Sequence, residues 1–259
     1  MAQKNPGIVL LVDKKIDFHE MVSDLEKEWD FECNYEVEEE NKFTNYSFAY
    51  DNVNFCLSKF DSEFPEDLTS DIEENAYGEE TELKEIYQNH DQFWIVAVIG
   101  EIEEDLNKVY ALFTRVVMSM LNVCDEALVY HTRTSLVIKS DIYLSMYPHM
   151  KKAYEAQQYF FPIDWYINIQ IYEDEDGLSA VSQGFDVFND YEIEIHNKPM
   201  EYEELYQIMK FIITNVVSRQ DKISNRDMIP VPVNQGYEQA IVKQFQSEVL
   251  DEEALAIIF

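Results

Sequence analysis

Basic residues are scarce in this sequence. Its 259 residues include 19 Lys and Arg against 52 Asp and Glu, a formal net charge of −33 at pH 7. Nucleic-acid binding depends on Lys and Arg side chains that displace counterions from phosphates. A chain of this charge repels nucleic acids and anionic membrane surfaces at long range, which excludes both as partners. A basic protein, a cation and a role as a polyanion mimic remain open.

Glycine, proline and cysteine are also few, with 6, 7 and 3 residues. The low Gly and Pro content argues against long flexible linkers. Cys33, Cys56 and Cys124 form no CxxC pair and no disulfide framework, which predicts reduced, mostly buried thiols. No stretch approaches the roughly 18 apolar residues of a membrane span, and the apolar run at 8–12 is too short for a signal peptide. We therefore expect a soluble, cytoplasmic protein.

The motifs of common active sites are absent as well. The chain has no phosphate-binding GxxxxGK(S/T) loop, no GxGxxG, no GxSxG, no HExxH and no EF-hand loop. None of its five histidines lies four residues from another, or near a cysteine at the spacing of a metal site. The sequence therefore predicts no metal, no cofactor and no catalytic residue set, and it favours a protein that is not an enzyme.

Apolar and aromatic residues are plentiful, at 46% and 14% of the chain, which is enough for a sizeable core. The predicted elements run strand–helix–strands, then strand–helix–strands–helix, then strands–helix. This order predicts an α+β fold of mixed, mostly antiparallel sheets packed with amphipathic helices. We expect two α/β halves, 1–150 and 151–259, in one compact unit.

Hydrophobic periodicity places the individual elements. Asp17 and Glu20 form a capping-box pattern before the first helix, and Asp51-Asn52 is a plausible hairpin turn. We expect Ser140 to cap a short helix that ends near Pro148. Strands are predicted near 8–12, 31–38, 43–50, 53–59, 93–99, 127–130, 135–138, 164–173, 178–184 and 191–196, and helices over 18–29, 103–121, 201–218 and 237–249.

Two segments near the C-terminal end are predicted from composition: an irregular one and an apolar one with a tendency to form a strand. Residues 221–236 contain Pro230 and Pro232 and are predicted to be irregular. The apolar segment 254–259 favours docking onto the body of the protein, and an exposed edge that pairs with another chain is the alternative.

Residues 61–80 hold nine carboxylates and no Lys or Arg. Such a segment is typical of a solvated loop or mobile excursion. The alternative is a docking surface for a basic partner, whose approach the negative field would steer. The carboxylates that we expect at this surface are Glu63, Glu66, Asp67, Asp71, Glu73, Glu74, Glu79 and Glu80.

A second group of polar residues is the alternative candidate for a site. His131 and Arg133 lie between two predicted strands, where they would either line a pocket or form a tight turn with a charged tip. Glu192, Glu194 and His196 alternate along one strand, so that period two places them on one face. A carboxylate beside a histidine can serve acid–base chemistry, and the same pattern is typical of a solvent-facing strand.

Residues 180–217, with a Gly-Phe pair followed by Glu-Ile-Glu-Ile-His, then a Pro and an amphipathic helix, resemble the C-terminal part of the bacterial family described as domain of unknown function 4261. The opening apolar strand and the order of the following elements are similar too. The sequence departs from that family at Asn189-Asp190, where a second Gly is frequent, and in the acidic segment 61–80. The resemblance implies an α+β fold, a bacterial cytosolic setting and an occasional association with toxin–immunity loci.

These observations favour an acidic binding protein, an immunity-type inhibitor that binds and neutralises a toxin or effector. Its partner would be a protein that is basic or has a basic cleft. An enzyme with an unrecognised site is the first alternative. The second is a structural or scaffold protein whose apolar tail pairs with another chain, and the acidity is also consistent with solubility alone.

Overall fold

A computed structural model describes residues 5–12, 16–102, 104–124, 126–174, 176–233 and 236–259. The chain divides into two compact units, an N-terminal unit that ends at Pro162 and a C-terminal unit of Ile163–Phe259. Each unit combines helices with a mixed, mostly antiparallel sheet, so the predicted α+β class is confirmed. The predicted boundary after residue 150 falls inside a helix, Tyr147–Glu155, and the observed division lies beyond it.

The N-terminal unit is built on an eight-stranded sheet. Its strands are β1 (Gly7–Val12), β2 (Tyr35–Glu39), β3 (Phe43–Tyr50), β4 (Val53–Phe60), β5 (Ala76–Tyr77), β6 (Gln92–Ile99), β7 (Ala127–His131) and β8 (Leu136–Lys139). Its helices are α1 (Phe18–Trp29), α2 (Thr69–Glu74), α3 (Glu80–Asn89), α4 (Leu106–Asn122), α5 (Ser140–Ser145) and α6 (Tyr147–Glu155). The strand order is β2-β3-β4-β6-β1-β7-β8-β5, and only β5 and β8 pair in parallel.

β1 lies inside this sheet, which explains its wholly apolar sequence. It pairs with β6 on one side and with β7 on the other. Val9 and Leu11 belong to a core cluster that includes residues of α2 and α3. Ile8 and Leu10 point to the opposite face and are also buried. A strand that is buried on both faces needs apolar residues at successive positions rather than at every second one.

The capping residue predicted for the first helix and the predicted hairpin turn at Asp51-Asn52 are both present in the structure. α1 has the predicted bounds, and the Asp17 carboxylate accepts a hydrogen bond of 2.8 Å from the His19 N–H at its start. Asp51 and Asn52 have φ angles of 49° and 65°, as a two-residue turn of type I′ between β3 and β4 requires. Both features depend only on neighbouring residues.

The acidic segment 61–80 is folded, so the prediction of a solvated loop or mobile excursion is wrong. α2 and β5 lie within it, and α3 begins at its end. Leu68 and Ile72 are each 1% exposed, and they share a core cluster with Leu83 and Ile86 of α3. These four side chains, at helical spacing within each pair, hold the segment against the sheet. The carboxylates around them mask this pattern in the sequence.

The role predicted for Ser140 is wrong. Lys139 occupies the cap position of α5, and the Ser140 hydroxyl instead accepts a hydrogen bond of 3.2 Å from the N–H of Ala127. Pro148 also differs from the prediction, because it lies in the first turn of α6 rather than at the end of a helix. The missing N–H of proline is tolerated there, since the first turn of a helix has no acceptor for it.

The three cysteines are free thiols and are half-buried rather than mostly buried. Burial, with a smaller effect of the Glu26 carboxylate, raises the pKa of the Cys33 thiol to about 11. The Cys124 Sγ donates a hydrogen bond of 3.2 Å to the Glu126 carbonyl oxygen. Cys33 is therefore protonated at neutral pH and is a poor nucleophile.

The C-terminal unit is built on a six-stranded sheet with the order β12-β13-β14-β11-β10-β9. Only β11 and β14 pair in parallel. The turn between its first two strands includes Glu175, which lies outside the described residues. Its strands are β9 (Asn168–Asp174), β10 (Gly177–Gln183), β11 (Ile193–Lys198), β12 (Met228–Val233), β13 (Gly236–Gln246) and β14 (Glu253–Ile258), and its helices are α7 (Ile163–Tyr166), α8 (Asp186–Asn189) and α9 (Tyr202–Arg219).

α9 confirms the helix predicted over 201–218, and its predicted inward stripe is buried. That stripe consists of Leu205, Ile208, Met209, Ile212 and Val216. Across the described parts of both units, no helix is long and apolar enough to span a membrane.

Two predictions near the C-terminal end are wrong. β12 occupies part of the segment predicted to be irregular, and β13 replaces the helix predicted over 237–249. In β13, Ala240 and Val242 are buried while Ile241 between them is exposed, which is the period of a strand. The docked tail is confirmed, because β14 lies between β13 and β11 inside the sheet.

Candidate functional site

The acidic residues predicted to contact a partner lie on a folded surface of the N-terminal unit, residues 61–89, which we call the acidic α2–α3 surface. It carries eleven carboxylates and one basic residue, Lys84. Core contacts of Leu68, Ile72, Leu83 and Ile86 fix the backbone beneath it. The predicted residues Glu63, Glu66, Asp67, Glu73, Glu74, Glu79 and Glu80 are exposed, and Asp71 is half-buried.

Some of these carboxylates have partners within the surface. The Lys84 Nζ lies 2.6 Å from Glu73 Oε1 and 2.7 Å from Glu80 Oε1. Asp67 accepts hydrogen bonds from the hydroxyl and the N–H of Thr69, and these bonds hold its pKa below the usual range. The carboxylates for which the described residues supply no ion pair or side-chain hydrogen bond are Glu63, Glu66, Glu74 and Glu79.

His90 ties the beginning of this surface to the end of α3. Its Nε2 accepts a hydrogen bond of 2.8 Å from the Phe64 N–H, and its Nδ1 contacts the Tyr87 carbonyl oxygen. A carbonyl oxygen only accepts, so Nδ1 carries the proton and the ring is neutral. His90 is 6% exposed. Its imidazole therefore serves as a structural link, a role that the sequence did not reveal.

A cavity of about 300 Å³ lies beside α3 and has a negative lining. The Lys139 Nζ lies 2.6 Å from Glu82 Oε2 at its wall. Sequence reasoning missed this cavity because all six of its lining residues lie outside 61–80 and come from separate parts of the chain that meet only in the fold. The residues that line it are Glu82, Glu85, Ile86, Asn89, Glu126 and Lys139. Carboxylates in such a recess suit the head group of a Lys or Arg side chain.

His131 and Arg133 of the alternative site form a tight turn with a charged tip. His131 ends β7, is 3% exposed and stacks on Tyr143 with ring centroids 6.2 Å apart. Burial lowers the pKa of His131 to about 3, so the ring is neutral at physiological pH. Arg133 is exposed in the turn. One side chain is therefore enclosed while the other faces solvent.

Glu192 has a buried carboxyl group in the C-terminal unit and is 4% exposed. Its Oε2 accepts hydrogen bonds of 2.6 Å from the Ser182 hydroxyl and 3.1 Å from the Phe185 N–H, and its Oε1 accepts one from the Gly184 N–H. Burial and the neighbouring Asp186 carboxyl raise the pKa of Glu192 to about 8. The carboxyl group thereby holds the turn that leads into α8.

Glu194 and His196 form the pair that their spacing predicts. The Glu194 Oε2 lies 3.1 Å from the His196 Nε2, and the Phe245 ring packs edge-on against the imidazole at 5.5 Å. The Glu194 side chain is 1% exposed and that of His196 is 35% exposed. No hydrogen-bond donor to the Glu194 oxygens is found among the described residues. The imidazole is thus the nearest polar group that the described residues place beside this buried carboxyl group.

The prediction of a solvent-facing strand for these residues is wrong, because Glu192 and Glu194 are both buried. The five residues of the alternative site do not form one group within a unit, since His131 and Arg133 belong to the N-terminal unit and the other three to the C-terminal unit. Ser182 and Asp186 complete the surroundings of Glu192 and were missed because they meet it only through the turn before β11.

In the portion of the chain that the structure describes, no three His, Cys, Asp or Glu side chains group closely enough to hold a metal ion. Comparisons with models of protein families, with curated proteins and with solved structures found no match. The family resemblance at 180–217 therefore stays a prediction. The geometry of the acidic α2–α3 surface and of the Glu194–His196 pair carries the functional argument.

Proposed function

We propose that this chain is a binding protein that recognises a basic protein through the acidic α2–α3 surface, in the manner of an immunity-type inhibitor of a toxin or effector. The observation that carries the proposal is the folded state of that surface. Its carboxylates lie on and between two helices that core side chains hold in place. A preordered surface loses less conformational entropy on binding than a mobile loop does.

Charge supports the same partner chemistry. A net charge of −33 attracts basic proteins from a distance and raises their rate of association. The cavity beside α3 offers Glu85 and Glu126 to a basic side chain, next to the ion pair that Glu82 already makes with Lys139. Proteins that act on polyanions, such as nucleases, are often basic, and an acidic partner can cover their substrate site.

The first experiment is a pull-down with the tagged chain, washed at low and then at high salt, to identify a basic partner. Its association rate is then measured with the variant Glu63→Gln/Glu66→Gln/Glu74→Gln/Glu79→Gln. Among the described residues these side chains make no ion pair or side-chain hydrogen bond, so the fold should be kept. We expect the association rate at low salt to fall about tenfold.

The matched control replaces four exposed glutamates of another segment, as Glu36→Gln/Glu38→Gln/Glu39→Gln/Glu40→Gln. It removes the same charge from the region of β2. If both variants slow association equally, the acidic α2–α3 surface is not the contact site. If neither variant changes the association rate, charge steering through this surface is excluded.

One observation favours a second candidate, an enzyme. In the Glu194–His196 pair a buried carboxylate lies beside an imidazole that is partly open to solvent, an arrangement that can serve proton transfer. A thermal-shift screen with small metabolites tests it, since a ligand that stabilises the wild type but not His196→Ala would point to this pair. The scaffold alternative depends on the apolar tail, which lies inside the sheet as β14, and no observation on that strand favours it over the binding proposal.

A further inference from the structure

A small cavity in the C-terminal unit lies between the second half of α9 and the edge strand β12, and we call it the α9–β12 recess. Its volume is about 280 Å³, just below the range of roughly 300–1,000 Å³ that drug-sized ligands occupy, so it suits a small molecule. Three of the ten residues that line it are polar and the other seven are apolar. Mostly apolar walls with a few polar groups are typical of a ligand-binding site.

The α9–β12 recess has a buried apolar wall and a fixed loop. Val216 of α9 and Ile223 of the loop after α9 line it and are both buried. The loop is held to α8, because the Ile223 N–H donates a hydrogen bond of 2.8 Å to the Asn189 Oδ1 and Lys222 forms an ion pair with Asp190. The recess is therefore preformed, which lowers the entropy cost of binding.

α9 presents an aromatic ring at one end of the α9–β12 recess and a cation at the other. Phe211, Asn215 and Arg219 all line the recess and follow one another at intervals of four residues, so they lie in one row on the helix. Eight residues of α-helix rise about 12 Å, which separates the ring from the guanidinium group. A ligand that fills this row has an apolar body and a charged end.

The charged end of the α9–β12 recess carries two opposite charges, those of Arg219 and Asp221. Both residues are exposed, and among the described residues neither side chain makes an ion pair or a hydrogen bond. The Asn215 Nδ2 donates a hydrogen bond of 2.8 Å to the Phe211 carbonyl oxygen, while its Oδ1 accepts none from the described residues. The recess thus offers partners to an anionic and a cationic group at the same time.

We propose that the α9–β12 recess binds a zwitterionic α-amino acid with a large apolar side chain, such as leucine, methionine or phenylalanine. Its carboxylate pairs with Arg219, its ammonium group pairs with Asp221 and donates to the Asn215 Oδ1, and its side chain lies towards Phe211. α9 ends at Arg219, so the negative end of the helix dipole lies at the charged end of the recess and favours the ammonium group.

The charges of the chain favour a zwitterion over a ligand with only one of the two charged groups. A simple carboxylate is repelled by the net charge of −33 and leaves Asp221 without a partner. A simple amine leaves Arg219 without one. A zwitterion has no net charge and pairs with both side chains. The recess belongs to the C-terminal unit and the acidic α2–α3 surface to the N-terminal unit, so this proposal is independent of the proposed function.

Isothermal titration calorimetry of the full chain with L-leucine, L-methionine and L-phenylalanine tests the proposal. We expect saturable binding of one molecule per chain for at least one of them. No binding of any of the three at about 10 mM, which would detect even a millimolar dissociation constant, overturns the proposal.

Analogues that lack one charged group test the zwitterion itself. For phenylalanine these are 3-phenylpropionate, without the amino group, and phenethylamine, without the carboxyl group; leucine and methionine have corresponding analogues. At matched ionic strength we expect each analogue to bind at least about tenfold more weakly than the amino acid, since each loses a charged hydrogen-bonded contact. An analogue that binds as tightly as its amino acid would overturn the proposed recognition of both charges.

The variants Arg219→Gln and Asp221→Asn locate the site. Both change exposed side chains, and we expect each to weaken binding of the amino acid at least about tenfold. The matched controls are Arg226→Gln and Glu248→Gln, which remove the same charges at exposed positions outside the recess and should leave the affinity unchanged. Equal affinities of variants and controls would refute the assignment to this recess.

Crossing variants with analogues separates ligand contact from a structural role. Arg219→Gln should leave the affinity for the amine analogue unchanged, because that ligand has no carboxylate for Arg219 to bind. Asp221→Asn should likewise not weaken binding of the carboxylate analogue. If Arg219 only complements the dipole of α9, Arg219→Gln lowers the melting temperature and leaves the affinity for the amino acid unchanged, which would overturn its proposed contact.

Discussion

Glu192 couples the stability of the C-terminal unit to pH. Its pKa is about 8 in the folded chain, against an ordinary value of 4.5. Between about pH 4.5 and pH 8, Glu192 therefore keeps its proton in the folded chain and has lost it in the unfolded chain. The stability contributed by this group is fully present below about pH 4.5 and is lost as the pH rises through about 8.

We expect Glu192→Gln to remove this dependence, because a neutral amide resembles the protonated acid. The unfolding free energy of the variant minus that of the wild type should therefore increase by on the order of 3 kcal/mol as the pH rises from 5 to 9. Urea unfolding across that range measures it, with the exposed Glu201→Gln as the matched control. Parallel pH curves for wild type and Glu192→Gln would contradict the assignment.

The Glu194–His196 pair makes a second prediction at the scale of single residues. His196→Ala removes the imidazole that lies 3.1 Å from the Glu194 carboxyl group, which is 0% exposed. We expect a loss of about 3 kcal/mol in unfolding free energy at pH 7, since a buried polar group that loses its neighbour is strongly unfavourable. The double variant Glu194→Gln/His196→Ala should recover most of this loss.

Urea unfolding of the wild type, both single variants and the double variant completes this cycle. If the changes in unfolding free energy of the two single variants add up to that of the double variant, the two side chains do not interact. A coupling of the expected size would establish a buried pair, which is also the condition for the enzymatic alternative.

At the scale of elements, α2 tests whether the acidic segment is part of the folded unit. Ile72→Ala should lower the unfolding free energy by about 2–4 kcal/mol, because it opens a cavity in the core cluster beneath the helix. The exposed Ser70→Ala on the same helix should change it by less than about 0.5 kcal/mol. Urea unfolding measures both values, and an equally small effect at Ile72 would indicate a loosely attached segment.

Elements that depend on local sequence were predictable, and those decided by distant partners were not. α1 and the β3–β4 turn have capping and turn residues beside them in the chain. In β13, the apolar residues Ala240, Ile241 and Phe245 fit a helical period as well as a strand. Pairing with β14 on one side and β12 on the other decides for the strand, and a single-sequence pattern does not contain that information.

The candidate sites divide in the same way. Period two correctly placed Glu194 beside His196, because both residues lie on one strand. Their burial could not be predicted, since it depends on what covers the sheet. The cavity beside α3 joins Glu82 to Glu126 and Lys139, which lie far apart in the sequence and meet only when β8 and α3 pack.

At the scale of the whole molecule, the surplus of carboxylates is the dominant feature. Eight lysines of the described chain lie within 4.0 Å of a carboxylate. Even if all 19 basic residues were paired one to one, 33 of the 52 acidic residues would have no basic partner. Self-repulsion of this kind favours expanded states over the compact fold. Salt should weaken the binding of a basic partner and relieve self-repulsion within the chain, which makes ionic strength an informative variable for this protein.

The same surplus predicts that salt stabilises the folded chain. Raising NaCl from about 0.02 M to 0.5 M shortens the screening length from roughly 20 Å to about 4 Å and weakens repulsion between unpaired carboxylates. We expect the unfolding free energy at pH 7 to rise by about 1–2 kcal/mol, which corresponds to a shift of about 3–6 °C in melting temperature. The variant Glu63→Gln/Glu66→Gln/Glu74→Gln/Glu79→Gln should show a smaller rise, since it has four fewer charges to screen. A melting temperature that stays constant or falls with salt would mean that the carboxylates are already balanced within the fold, and the charge argument for a basic partner would lose its foundation.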